Sequence, residues 1–252
     1  MIVNTIKTRT ILAGEQKLTE LLDEYLKEFK ENTVLVITSK VVSLCENRVI
    51  PIKDTDKDTL VKEQSSYYLS SNLSKYGYHF TITDHTLISM SGIDESNGNG
   101  NFILWPSDSQ KTANEVRTYL VNRFGIKYAG VLIVDSTCTP LRLGTSGIAI
   151  GFSGFQALNN YVGKPDLFGR PFQVSQANIA GGLASTAVLA MGEGTERMPL
   201  AVISDIPFVK FQDRDPSLEE LETTHIPFED DLFEPFFSSV KWEKGNRSNI
   251  QG

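Results

Sequence analysis

Across residues 18–29, apolar side chains return every three or four positions. Leu18, Leu21, Leu22, Tyr25, Leu26 and Phe29 alternate with Thr, Asp, Glu and Lys, the period of a helix with one face in a core. Thr33–Thr38 (TVLVIT) and residues 129–134 (AGVLIV) are short apolar runs rich in β-branched residues, the pattern of strands buried on both faces. The same reading predicts helices over residues 58–71 and 109–124, a strand over 80–90 and another over 199–203. Residues 177–191 (ANIAGGLASTAVLAM) are small and apolar throughout, which suits a closely packed buried helix. Strands and helices intersperse without regular βαβ spacing and without an internal repeat, so the predicted class is α+β (mixed α/β) with mixed sheets.

The breaks between these elements are as informative. Residues 91–101 (SGIDESNGNGN) cannot be the interior of a helix or strand, so Asp94 and Glu95 belong to a turn. Residues 144–154 are glycine-dense, but no GxxxxGK[ST] occurs and no GxGxxG opens a helix after a strand. Close backbone packing accounts better for Gly144, Gly147, Gly151 and Gly154. From residue 210 the chain turns acidic and carries Pro216, Pro227 and Pro235 with Phe228, Phe233, Phe236, Phe237 and Trp242. Disordered tails rarely hold so many aromatics. The expected division is a main domain over 1–209, with room for two interleaved subdomains, and an extension over 210–252. The extension is expected to pack on the body or on a neighbouring subunit and to fray after Glu243.

Composition narrows the function classes. The 252 residues are 40% hydrophobic, enough for a core without staples. A formal net charge of -7 disfavours nucleic acid as a partner. No run of 18 apolar residues and no secretory leader is visible, so no membrane span is expected. Cys45 and Cys138 are too few for a disulfide framework and fit a reducing compartment, so a cytoplasmic location is expected.

Carboxylates beside strand ends are the clearest chemical signal. Asp94 lies in the Asn/Gly loop, and Asp135 closes the AGVLIV run ahead of Ser136 and Thr137. Two carboxylates with a hydroxyl and nucleotide phosphates suffice for Mg²⁺ or Mn²⁺; on spacing alone, both aspartates are equally well read as turn caps. Ser39 and Lys40 follow the TVLVIT strand, either as a phosphate-contacting turn or as a simple polar pair. His79, His85 and His225 share no metal-ligand spacing, and a GxSxG elbow is missing.

Taken in order, several segments resemble the coenzyme F-420:L-glutamate ligase family. They are VLVITSKVVSLCENR (34–48), SGIDESN (91–97), LIVDSTCTPLRLGTSGIAIGFSG (132–154), GKPDLFGRP (163–171) and MGEGTERMPLAVI (191–203). The resemblance runs from about residue 1 to about residue 205. It implies a gamma-glutamyl ligase-like fold, an intertwined homodimer, and an amide bond made between L-glutamate and a carboxylate-bearing acceptor through an acyl phosphate. GTP is the implied co-substrate, with ATP an alternative, together with Mg²⁺ or Mn²⁺ and room for a monovalent cation. Asp94, Asp135 and Ser136 match the metal positions, Asn97 a nucleotide contact, and Ser39 and Lys40 the segment nearing the nucleotide. Arg142 falls in an Arg-rich stretch suited to a phosphate or carboxylate. Three departures stand out: Leu44 replaces a second lysine, Ser136-Thr137-Cys138-Thr139 replaces Thr-Trp-Gly-Arg, and Ile203-Ser204-Asp205 replaces a basic, glycine-containing strand end. A folate-type acceptor, or a non-catalytic binding protein on the same fold, are the competing readings.

Overall fold

The two apolar runs become the middle of a five-stranded sheet. The computed structural model describes residues 1–247. In chain order its strands are β1 (Ile2–Ile6), β2 (Thr33–Thr38), β3 (Val49–Pro51), β4 (Tyr67–Tyr68), β5 (Phe80–Thr83), β6 (Thr86–Ser89) and β7 (Asn101–Ile103). They continue with β8 (Ala129–Cys138), β9 (Thr145–Ser153), β10 (Leu158–Asn160), β11 (Gln176–Asn178), β12 (Leu200–Ser204) and β13 (Glu243–Lys244). The helices are α1 (Leu18–Tyr25), α2 (Ser39–Cys45), α3 (Lys57–Gln64), α4 (Ser109–Phe124), α5 (Ile179–Met191), α6 (Leu218–Glu222) and α7 (Glu234–Phe237).

The main sheet has the order β1-β12-β2-β8-β9. β2 and β8 pair in parallel, and the other neighbours are antiparallel. Because side chains alternate along a strand, β2 sends Val34 and Val36 to one face and Leu35 and Ile37 to the other. The first face packs with Leu132, Ala184, Ala187 and Met191 under α5. The second packs with Leu22, Val116, Leu120 and Ile133 under α1 and α4. The result is a three-layer α/β/α core, which explains why both central strands read as unbroken apolar runs. α5 approaches closely because its residues are small and because Gly147 of β9 has no Cβ; a Cβ there would run into the Ala184 carbonyl. α4 starts on Asp108, whose carboxylate accepts from Lys111 N at 2.8 Å, and stops at left-handed Gly125.

Smaller sheets surround this core, giving a mixed α+β fold. β13-β4-β5-β6 form one, and β3 with β7 and β10 with β11 form two ribbons. Several expected boundaries move. Helix α1 stops at Tyr25, where Leu26 turns extended, yet Leu26 and Phe29 stay buried. The helix expected over 58–71 ends at Gln64, and the aromatic pair Tyr67–Tyr68 becomes a strand, as its β-propensity favours. The strand expected over 80–90 is a hairpin, because Asp84 and His85 both take positive φ (45° and 59°) and form a two-residue turn. β8 does not end at Asp135. Its antiparallel pairing with β9 carries it on to Cys138, with a register shift between Ile133 and Val134.

The C-terminal segment packs on the body. Gln212 N donates to Gly154 O at 2.8 Å, and Arg117 pairs with Asp215 at 2.6 Å. Phe228 stacks on Trp242 and meets Phe237 at a tilt. Beyond Glu243, β13 pairs with β4, and Arg247 grips Asp84 with two bonds of 2.9 and 2.6 Å. The rest of the stretch expected to fray lies outside the described residues. Among the described residues, no helix is long and apolar enough to cross a membrane.

Candidate active site

Parallel β2 and β8 end on the same side of the sheet, and the chain leaves each carrying polar residues. β2 passes directly into α2, so Ser39 and Lys40 form the first turn of a helix and not a free turn. Thr38 pairs with Val134, which puts Asp135 one residue beyond, still within β8. Asp94 reaches the same place from the Asn/Gly loop. Its backbone exchanges bonds with Ile103 at 3.0 and 2.8 Å, extending the β3–β7 ribbon by one bridge.

Both carboxylates are held by donors. Ser96 N donates to Asp94 Oδ1 at 2.7 Å, Ser96 Oγ to Oδ2 at 3.0 Å, and Lys40 Nζ pairs with Oδ2 at 2.6 Å. Burial pushes the Asp94 carboxyl up, but Lys40 and the Ser96 bonds outweigh it, so its pKa falls below the ordinary value. Asp135 accepts from the Trp105 indole N–H on one oxygen and from Ser136 N at 2.8 Å on the other. Desolvation, aided by the charge on Asp94, pushes its pKa up to about 6 against those donors and Lys40. Trp105 can lie there because residue 92 is glycine; a Cβ would collide with the indole nitrogen.

A cleft of about 540 Å³ gathers Ser39, Lys40, Asp94, Asn97, Asp135 and Ser136. Six of the seven residues singled out from sequence thus share one space. The seventh, Arg142, does not line it. Arg142 sits on the exposed turn between β8 and β9, and its guanidinium donates to its own neighbour's carbonyl, Leu141 O, at 2.9 Å. The opposite wall comes from residues 192–199 and from residues 8–11. Asn97, at φ 57°, donates to Gly194 O at 3.3 Å and ties the two walls together. Leu44, where the resemblance expects a lysine, adds an apolar patch to the lining. Arg9, Trp105 and the 192–199 segment were not picked out as site residues. MGEGTERMP carried a resemblance without a role, and Trp105 has no local pattern that marks it. A second cleft of about 1180 Å³ lies elsewhere, lined by Tyr67, His85, Asn114, His225 and Phe228. It contains none of the paired carboxylates of the first.

Around the paired carboxylates Asp94 and Asp135 the nearest donors in the first cleft are the hydroxyls of Ser39, Ser96 and Ser136, and Glu193 and Glu196 add two more carboxylates to its lining. No histidine or cysteine lines it, so the set fits a hard divalent cation and not a soft one. Among the described residues, no group of three or more His, Cys, Asp and Glu side chains could enclose a metal by itself. The strained ionisation of Asp135 beside Asp94 is a second sign of fit, since a cation there relieves both desolvation and repulsion.

An oxygen-lined cleft at the C-terminal ends of the parallel pair β2 and β8 marks a protein that binds a small ligand where α/β sheets place theirs. The model of the F420-0:Gamma-glutamyl ligase family matches residues 5–205. The chain is 36% identical to a coenzyme F420:L-glutamate ligase of Methanococcus maripaludis (strain C6), over 77% of this chain and 83% of that one. It is 34% identical to the protein of that description from Methanocaldococcus jannaschii (80% and 87% covered) and 32% identical to that of Methanopyrus kandleri (85% and 87%). The chain belongs to the F420-0:gamma-glutamyl ligase family.

Proposed function

We propose that the chain is a gamma-glutamyl ligase that joins L-glutamate to F420-0 through an amide bond, driven by a nucleoside triphosphate, GTP in the first instance. The observation that carries this reading is the convergence of Asp94 and Asp135 in one cleft with Ser39, Lys40 and Asn97, in a chain of this family. The terminal carboxylate of the acceptor attacks the γ-phosphorus, the nucleoside diphosphate leaves, and an acyl phosphate results. The amine of glutamate then attacks the acyl carbon, phosphate departs, and the amine loses a proton.

Asp94, Asp135 and Ser136 would hold Mg²⁺ or Mn²⁺, with space for a further monovalent cation. The divalent ion, when bound, neutralises charge on the transferring phosphoryl oxygens. Ser39 and Asn97 present a hydroxyl and an amide to the nucleotide. Lys40, paired with Asp94 at 2.6 Å, keeps that carboxylate ionised on the side of the cleft where the nucleotide would lie. We assign the ligase body to residues 1–209 and treat 210–252 as an extension. We further propose a homodimer. Leu141 and Leu143 on one projecting turn, and Leu167 and Phe168 on another, are almost fully exposed, a surface that a second copy would cover. Arg142 shares the first turn, so it would meet a carboxylate or phosphate across that boundary.

The test is glutamate incorporation into F420-0, with GTP or ATP and with Mg²⁺ or Mn²⁺, compared with a folate acceptor. Nucleotide- and metal-dependent product with F420-0 is the expected result. Product with folate alone would reassign the acceptor, and no product with either would leave a binding protein on a ligase fold.

A further inference from the structure

We propose that Arg197 supplies the phosphate-binding cation that Leu44 fails to provide, a guanidinium set against the polyphosphate of the nucleotide. The proposal rests on the nucleotide reading of the cleft. Three cationic side chains line it: Arg9, Lys40 and Arg197. Lys40 is committed to Asp94, and it also donates to Ser96 O and Oγ at 3.1 Å each. Arg9 is committed to Glu15 at 2.7 Å and to Gln16 at 3.0 Å. The Arg197 guanidinium makes no hydrogen bond or ion pair with any described residue, and it is exposed. The same cleft carries Asp94, Asp135, Glu193 and Glu196. A nucleoside triphosphate entering so acidic a space needs an uncommitted cation, and Arg197 is the one among its described lining residues.

The backbone supports a dedicated role. Arg197 sits at φ 59°, a left-handed conformation that glycine takes freely and that costs a residue with a Cβ. Its carbonyl and the next residue are held: Thr8 N donates to Arg197 O at 2.9 Å, and Thr5 Oγ1 to the Met198 sulfur at 3.1 Å. Packing does not call for arginine at this position, since the side chain is exposed. A strained residue with a free guanidinium at a cleft wall is the pattern of a functional position. A guanidinium offers a planar fork of donors to phosphate oxygens. Leu44, buried in the same lining, leaves that task open.

GTP binding in the presence of Mn²⁺ is measured calorimetrically at several salt concentrations, with the thermal midpoint of each variant, for the wild type, Arg197→Gly, Arg197→Lys and Arg197→Gly/Leu44→Lys. Arg197→Gly is expected to weaken GTP binding by about tenfold or more and to flatten its salt dependence, while the midpoint stays level or rises as the strain is released. Arg197→Lys should keep part of the affinity, and adding Leu44→Lys to the glycine variant should restore part of it. Unchanged affinity in Arg197→Gly overturns the proposal and leaves the nucleotide site standing. Affinity lost only in step with a lowered midpoint also overturns it, because that is the mark of a structural residue. If the wild type binds neither GTP nor ATP, the nucleotide reading itself fails and takes this proposal with it.

Discussion

Asp135 is a strand carboxylate whose two oxygens are each taken by one donor, an indole and a peptide N–H. Its charge is costly where it stands; an amide removes that charge but turns an NH2 toward one of the two donors, so the two effects on stability oppose each other. Asp135→Asn is expected to lower metal-dependent turnover by about a hundredfold or more, roughly 2.7 kcal/mol of barrier. The thermal midpoint should be near that of the parent; turnover that survives the change would remove Asp135 from the site. Trp105 acts one step further out. Trp105→Phe keeps an aromatic side chain but removes the N–H that reaches Asp135 together with part of the buried indole; with the thermal midpoint followed alongside, Mn²⁺ affinity should fall by roughly ten- to a hundredfold, as for other groups that orient a ligand. Titration followed by Mn²⁺ resonance would show it, and an unchanged affinity would mean the indole only fills space. At this scale the sequence was legible where chemistry is local. Asp94 declares itself by its Asn/Gly loop and Asp135 by ending an apolar run. Trp105 does not, because its contact spans 30 residues and depends on the missing side chain of Gly92.

The elements that position these residues were read well where burial dictates pattern. TVLVIT, AGVLIV and the helix over 109–124 emerge as expected. The errors fall where a turn or a partner strand decides. Positive φ at Asp84 and His85 splits one strand into two, and pairing with β9 draws Asp135 into β8. Two contacts between elements make predictions. Gly147 lets α5 lie directly on β9, so Gly147→Ala should overpack that seam by about 1–3 kcal/mol and lower the thermal midpoint by several degrees. A neutral result would mean that α5 shifts without cost. The second is the stack of His85 on His225, centroids 4.5 Å apart, which joins the β5–β6 hairpin to the C-terminal extension. Burial, with the neighbouring His85, holds His225 below its ordinary value, so the unfolded chain takes the proton first. Stability is complete at high pH and declines as pH falls through about 6.5. Asp84, Asp108, Glu222 and Glu229 face the same cleft and Lys111 lies among them, while Asp84 is engaged by Arg247. Limited proteolysis beyond residue 210 should be faster at pH 5.5 than at 7.5, and His225→Phe should flatten that difference.

For the molecule as a whole, the cleft draws on residues from Thr8 to Pro199, almost the full span of the family match. That is why its geometry could not be read from any one stretch, although the family resemblance across 1–205 could. The exposed leucines and phenylalanine on the two projecting turns belong to this scale also. Replacing Leu167 and Phe168 with Ser is expected to lower the solution mass from dimer to monomer in sedimentation, and a parent protein that is monomeric at every concentration would refute the assembly. The sheet order has one more consequence. β12 lies between β1 and β2, so the first strand of this sheet to leave the ribosome waits for the last of the sheet before it has a neighbour. Until Leu200–Ser204 emerge, β1 has no sheet partner, residues 8–11 have no fixed wall to form, and no cleft exists. A nascent chain stalled short of that strand should remain open to protease along its N-terminal segment, and the release of β12 should close both ends of the chain in a single late event.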